Sequence, residues 1–412
     1  MNRYLLLTIM CLCIMLFACD RAHTPPETGM WRGVLKTEAG QEVPFVFELS
    51  ENNGRYQAVI MNAGERLLVD EIMFRNDSVF MVMPFFDSEF RLKLHENKLT
   101  GTWIRHLADK DVLMDFEAQY GNAYRFFPAP VATAQAGGRW EATFVSAKGD
   151  TTQAVAEFEQ SGAIVTGTFL TTTGDYRYLE GVVQGNELYL SCFDGSHAFL
   201  FHALISNEQE ITQGVFYSGL SYSEQWSARK NEQATLPDAN RLTYLKAGYD
   251  KIDFSFPGLD KKLVSLSDEA YKNRVVIIQV LGSWCPNCMD ETEYLVPFYE
   301  QKKDQGLEII GLAYERSPDF EKAKANLTRM QERLGIKYPL LVAGTNDKNK
   351  VNESLPMLNN FLAFPTTIII DRKGNVRRIH TGFSGPATGA HFTEFKKEFE
   401  LFIDTLLNEP SS

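Results

Sequence analysis

Short runs of alternating apolar and polar residues fill the chain from about residue 31 to 229, and the alternation stops after residue 230. No single architecture accommodates both patterns. Runs such as VPFVFEL (43–49), RYQAVIM (55–61), SVFMVM (78–83), AIVTGTFL (163–170) and ELYLSCF (187–193) are short, lack helical periodicity and are separated by turn residues. They predict an antiparallel all-β region. The region also repeats: GMW (29–31) returns as GRW (138–140), PFFDSEF (84–90) as SCFDGSHAF (191–199), and LTGTWI (99–104) weakly as ITQGVF (211–216). Each half supplies about eight strands. Two tandem meanders are therefore expected, over 29–120 and 139–229, each closing into a small barrel or curled sheet; a duplicated sandwich satisfies the same pattern. Residues 121–138, rich in Pro, Ala and Gly, read as a linker that Phe126 and Phe127 anchor on a barrel. Cys192 lies in an apolar run and is expected to be a buried small hydrophobe, and His197 and His202 read as ordinary strand residues.

The first residues, MNRYLLLTIMCLCIMLFACD, form a targeting segment: Arg3 is the positive end, and Tyr4 to Phe17 is an apolar run too short to span a bilayer. Leu16-Phe17-Ala18-Cys19 resembles the lipobox of bacterial lipoproteins. That resemblance implies a signal peptide over 1–18, an acylated Cys19 and a polar tether over 19–28. The expected location is the cell envelope, lipid-anchored, facing the periplasm or the outside. With Cys11 and Cys13 removed and Cys19 lipidated, the body keeps Cys192, Cys285 and Cys288. A structural zinc needs about four ligands, and no second CxxC or HxxxH lies nearby, so no metal is expected. The net charge of −12 argues against a nucleic-acid partner.

Beyond a second linker at 230–249, strands alternate with amphipathic helices over 250–408: VVIIQVLG (275–282), a helix after Cys285 to about Gln305, LEIIGLAY (307–314), a helix over 320–335, YPLLVAG (338–344), TTIIIDRKG (366–374), VRRIHTG (376–382) and a closing helix over 392–407. This is the pattern of an α/β sheet. Between the first strand and helix stands WCPNC (284–288). A cysteine at a strand-to-helix turn meets free N–H groups and the positive end of the helix dipole, which favour the reactive thiolate. Cys288, one turn on, is placed to resolve a mixed disulfide. Pro286 is tolerated because a first-turn residue has no helical acceptor for its missing N–H.

DFSFPGLDKKLVSLSD (253–268), VVIIQVLGSWCPNC (275–288) and FPTTIIIDRKGNV (364–376) together resemble the thioredoxin-fold domains of the TlpA/ResA type, membrane-tethered thiol–disulfide oxidoreductases of bacterial envelopes. The resemblance implies Cys285 as attacking thiol, Cys288 as resolving thiol and Glu291 as an acid–base group. It also implies Trp284, Phe364 and a cis-Pro365 as the substrate-binding surface. It further implies protein disulfides as substrates, with apocytochrome c haem-site thiols among them, a membrane electron donor, and no cofactor beyond the cysteine pair. CPNC has no histidine between its cysteines, which points to a reductant rather than a strong oxidant. Departures are Gln279, where thioredoxin carries a buried acid, and Glu293, where the relatives have a proline that here comes at Pro297. Asp290 reads as a carboxylate that complements the helix dipole, and the glycine-rich loop 381–392 after His380 as a border of the site. Three other readings stay open. One is a thiol peroxidase, which lacks here the usual Thr-x-x-Cys because Gly282 holds the threonine's place. Another is a lipoprotein whose β region binds a ligand or partner. The third is copper delivery, suggested only by Met289.

Overall fold

The computed structural model describes residues 26–410; the signal segment and Cys19 lie outside them. The first β unit has nine strands, β1 to β9: Gly29–Lys36, Glu42–Asn52, Arg55–Asn62, Glu65–Val69, Glu71–Arg75, Ser78–Val82, Ser88–His95, Lys98–His106 and Asp111–Tyr120. Each pairs antiparallel with its sequence neighbour, except that β4 and β5 do not pair. β1 also pairs with β9, so the meander curls round and leaves β4 and β5 as its two edges.

The second unit follows as β10 to β18: Gly138–Ser146, Thr151–Ser161, Ile164–Thr171, Gly174–Asp175, Leu179–Gln184, Glu187–Phe193, Ala198–Asn207, Glu210–Ser218 and Tyr222–Lys230. Here β11 pairs with β12 and β10 with β18, so eight strands close into a barrel, and two-residue β13 hangs on β12. The all-β, barrel-like class expected from the alternation is what forms, with nine strands in each unit rather than about eight.

The repeated Gly-x-Trp has one structural meaning in both units. Trp31 and Trp140 are fully buried, and each indole N–H donates to a carbonyl four residues upstream, Glu27 O at 3.0 Å and Ala136 O at 2.7 Å. A buried indole usually finds such a partner. Barrel interiors are filled by rings rather than hollow: Phe144, Phe169, Phe201, Phe216 and Trp226 pack on one another in the second, with Phe201 and Phe216 centred 4.4 Å apart. The two units share a core. Phe193 of β15 inserts among Phe45, Phe90 and Trp103 of the first unit, 4.5 Å from Phe45. Phe126 and Phe127 of the connecting segment pack on Tyr189.

The C-terminal unit is a five-stranded sheet with a small hairpin in front of it, β19 (Ser255–Pro257) and β20 (Leu263–Ser265). Its strands are β21 (Val275–Leu281), β22 (Leu307–Glu315), β23 (Leu340–Thr345), β24 (Thr366–Ile370) and β25 (Val376–Thr381), in the order β23-β22-β21-β24-β25. The first three are parallel, and β24 and β25 run antiparallel. Helices α1 (Pro286–Lys302), α2 (Phe320–Leu334), α3 (Lys348–Ser354) and α4 (Ala390–Asn408) cover the sheet. Every residue of β21 is buried, as a central strand with both faces covered requires. Val275, Ile277 and Leu281 face α1, α2 and α4; Val276, Ile278 and Val280 face α3 and the residues around Phe254. This is the thioredoxin-like arrangement that the resemblance implies.

The β units sit on this domain through polar contacts as well. Arg333 of α2 meets Asp70 and Glu71 at the open edge of the first unit, at 3.0 and 2.7 Å. Such half-exposed pairs contribute under about 1 kcal/mol each, whereas a buried phenylalanine such as Phe193 contributes roughly 2 to 3 kcal/mol. The shared ring cluster therefore holds the two β units together, and the surface pairs orient them on the C-terminal domain.

Candidate active site

The fully buried β21 carries the chain to Gly282, where it turns. A Cβ at Gly282 would lie 2.2 Å from Trp284 Nε1, so only glycine lets the indole fold back over the turn. Trp284 is fixed by its Nε1–H donating to Tyr314 O at 2.9 Å and by edge-to-face contact with Phe364 at 5.3 Å. Ser283 donates to the buried Glu315 from both its backbone and its hydroxyl, at 2.8 and 2.7 Å. Burial pushes the Glu315 carboxyl up, against the Ser283 bonds.

Cys285 is the N-cap of α1, with extended backbone (φ −107°, ψ 111°), and its Sγ accepts the Cys288 N–H at 3.2 Å. Pro286 occupies the first helical position. Cys285 and Cys288 are disulfide-bonded, with Cα atoms 5.2 Å apart. The Phe364–Pro365 peptide is cis, and Phe364 O lies 3.7 Å from Cys285 Sγ. Trp284, Phe364 and Pro365 are thus brought beside the Cys285 sulfur from two distant parts of the chain.

Glu291 lies within α1 beneath the pair, 2 % exposed. Gln279 Nε2 donates to its Oε2 at 2.8 Å, and the Thr367 hydroxyl donates to its Oε1. Burial pushes the Glu291 carboxyl up to about 7, against these two bonds. Thr292 Oγ1 donates to the Cys288 carbonyl at 2.7 Å and shares Gln279, so the network runs from Glu291 to the Cys288 backbone. Gln279 therefore occupies the centre of a polar cluster in which Glu291 is the titrating member.

Asp290 does not play the helix-dipole role expected of it. It is buried in the ion pair with Arg177 of the segment joining β13 to β14. Burial pushes Asp290 up to about 7, although Arg177 pulls the other way. Arg177 also binds Glu65 of β4 and lies 3.7 Å from Asp194 at the end of β15. His197 is likewise more than a strand residue, since Asp194 Oδ2 accepts from its Nδ1 at 3.1 Å.

Two turns of the second barrel lie against the redox motif. Ser196 Oγ donates to Trp284 O at 3.3 Å. Asn287 Nδ2 donates to Asp175 O at 3.3 Å and to Phe383 O at 3.1 Å. Gly385 N–H donates to Asp175 Oδ2 at 2.6 Å, so the glycine-rich loop after His380 does border the motif. Cys285 is left 5 % exposed and Cys288 fully buried. Sequence reasoning missed Asp175, Arg177, Asp194 and Ser196; GDYR (174–177) and DGSH (194–197) look like ordinary turns, and, Asp194 apart, these residues meet partners some ninety to two hundred positions away. Among the described residues, no group of three or more His, Cys, Asp or Glu is placed to hold a metal ion.

Residues 238–393 match the Redoxin family. The thiol-disulfide oxidoreductase ResA of Geobacillus thermodenitrificans is 26% identical over 140 residues, which are 34% of this chain and 72% of that protein. The thioredoxin-like protein YneN of Bacillus subtilis is 25% identical over 160 residues, 39% of this chain and 80% of its own. A thioredoxin-family thiol:disulfide interchange protein from Chlorobium tepidum, of known crystal structure, is 21% identical, covering 39% of this chain and 96% of that one with a TM-score of 0.30.

Proposed function

We propose that this chain, whose C-terminal domain is a thiol–disulfide oxidoreductase of the thioredoxin family, reduces protein disulfides outside the cytoplasm from a lipid anchor at Cys19. The observation that carries the reading is the joint placement of the Cys285 sulfur at the start of α1 and beside the cis-Pro365 turn. A sulfur so placed is favoured as thiolate by the helix N-terminus, and the turn offers backbone for a substrate strand to pair with.

The reaction starts from the dithiol. Cys285 thiolate attacks one sulfur of the substrate disulfide; that S–S bond breaks, and the departing sulfur leaves as thiolate and takes a proton. Cys288 then loses its proton and attacks Cys285 Sγ, releasing the second substrate thiol and closing the Cys285–Cys288 disulfide. Two electrons pass from the pair to the substrate. Glu291, titrating near neutrality, is the group proposed to take up the Cys288 proton. Cys285 is 5 % exposed, and the barrel segments at 174–177 and 194–197 lie against its neighbours Asn287 and Trp284. The haem-site cysteines of apocytochrome c in their disulfide form, as suggested by the resemblance to ResA-type proteins, are one substrate class, and a membrane protein would return the electrons.

Two measurements test the finer parts. Equilibration with redox buffers is expected to place the pair nearer thioredoxin, at about −270 mV, than DsbA, at about −120 mV; a value at the DsbA end would make the protein an oxidant. Cys19→Ala is expected to move the protein from the membrane fraction to the soluble one or to stall its processing, since acylation supplies the anchor. Wild-type protein found wholly soluble after export would remove the anchor from the account.

A further inference from the structure

We propose that Arg177, carried by the second β barrel, is a positioning residue of the redox site, fixing the first turn of α1 and supplying positive charge that favours the Cys285 thiolate. This rests on the reading of Cys285 and Cys288 as the redox pair.

Arg177 is 1 % exposed, yet nothing in its own barrel's apolar core calls for a cation there. Its partners come from three units: Glu65 from the first β unit, Asp194 from the second, and Asp290 from α1. Its Nη1 also lies 3.5 Å from Pro286 O, one residue after Cys285. The backbone is built to hold it: Arg177 sits at φ +61°, a left-handed conformation uncommon for a side chain of this size, pinned by its N–H donating to Asp175 Oδ1 at 2.6 Å. The same Asp175 holds Gly385, and its carbonyl receives Asn287 of the CPNC motif. One short segment thus grips the helix start from three sides.

The charges around it fix the sign of its effect. Facing Asp290 and Arg177 are Asp175 and Tyr178 on the same segment, Glu65 and Arg66 on β4, Asp194, Glu293 of α1, and Arg333 across the adjoining cavity of about 550 Å³. Arg177 pairs with Asp290 and Glu65 and lies 3.7 Å from Asp194, which His197 also faces at 3.1 Å; burial alone would lower the Arg177 pKa, and these three carboxylates raise it. Without Arg177 the field at the start of α1 turns more negative, which disfavours a thiolate there.

The test is the pH dependence of Cys285 alkylation in the reduced full-length protein, followed by mass spectrometry. Arg177→Gln is expected to raise the midpoint by about half to one pH unit, a roughly three- to tenfold lower thiolate population below the midpoint. Asp290→Asn is expected to lower the midpoint, and Arg177→Lys to stay near wild type. A purely structural role would loosen α1 alike in both variants and move Arg177→Gln and Asp290→Asn in the same direction. That outcome, or an unmoved midpoint in Arg177→Gln, overturns the proposal. If Arg177→Gln does not fold, Asp290→Asn decides: a lowered midpoint supports the proposal, and an unchanged or raised one overturns it. Wild-type protein that fails to reduce any disulfide while these opposed shifts persist would count against the proposed function and not against Arg177.

Discussion

Replacing Cys285 by alanine is expected to lower disulfide-reducing activity by a thousandfold or more, because the loss of a nucleophile removes the covalent route altogether. Folding should survive, since the change trims one 5 % exposed sulfur at the edge of the core. Cys288→Ala is expected to be nearly as inactive in turnover, but for a different reason: attack proceeds and resolution does not. The asymmetry follows from geometry. Cys285 is the N-cap with its sulfur accepting the Cys288 N–H, whereas Cys288 lies fully buried in the first turn. A stopped-flow assay of the single variants against a protein disulfide separates them, with a first-turnover burst expected from Cys288→Ala and none from Cys285→Ala.

The second large effect is on stability and comes from Glu291. Burial raises its folded-state pKa to about 7 from the ordinary 4.5, so the folded protein holds this proton more tightly than the unfolded chain does. The sign follows directly: this group favours folding most below about pH 4.5, and the advantage is lost as pH climbs from there to about 7. The difference amounts to about 3 kcal/mol. Urea unfolding of the wild-type protein should therefore show the C-terminal domain losing stability between pH 5 and pH 8. In Glu291→Gln that loss should shrink by about 3 kcal/mol, mostly through a gain at pH 8. An unchanged loss in Glu291→Gln would mean that the bonds from Gln279 and Thr367 keep the carboxylate ionised after all.

What could be read in the sequence was what depends on neighbours in sequence or on a repeated pattern. The fully buried β21, the glycine at the turn and the N-capping Cys285 are all local, and VVIIQVLGSWCPNC displays them. The β region announced itself by alternation, and its duplication by Gly-x-Trp, whose two tryptophans make the same bond to the carbonyl four residues upstream. In the second unit the strand number ran one higher than expected because the two-residue β13 is too short to show a period.

What could not be read depends on residues that meet only in the folded chain. Asp290 beside a helix start looks like a dipole complement, and only the approach of Arg177, 113 positions earlier, turns it into half of a buried pair. Ser196 in a turn and Asp175 in the two-residue β13 have a local composition that says "surface", yet they hold the Trp284 backbone and the Asn287 side chain of WCPNC. The contribution of the β region to the redox site is therefore a product of tertiary packing, without a local signature.

The central claim, attack by Cys285 and resolution by Cys288, is tested most directly by what remains bound to the two single-cysteine variants. Full-length Cys288→Ala, reduced and then exposed to a disulfide-bonded protein, should carry that protein on Cys285 as an adduct visible by mass spectrometry and released by a reducing agent. Cys285→Ala treated in the same way should carry little or none. Adducts on Cys288 in the Cys285→Ala protein at equal yield, or none on Cys285 in the Cys288→Ala protein, would contradict the assignment.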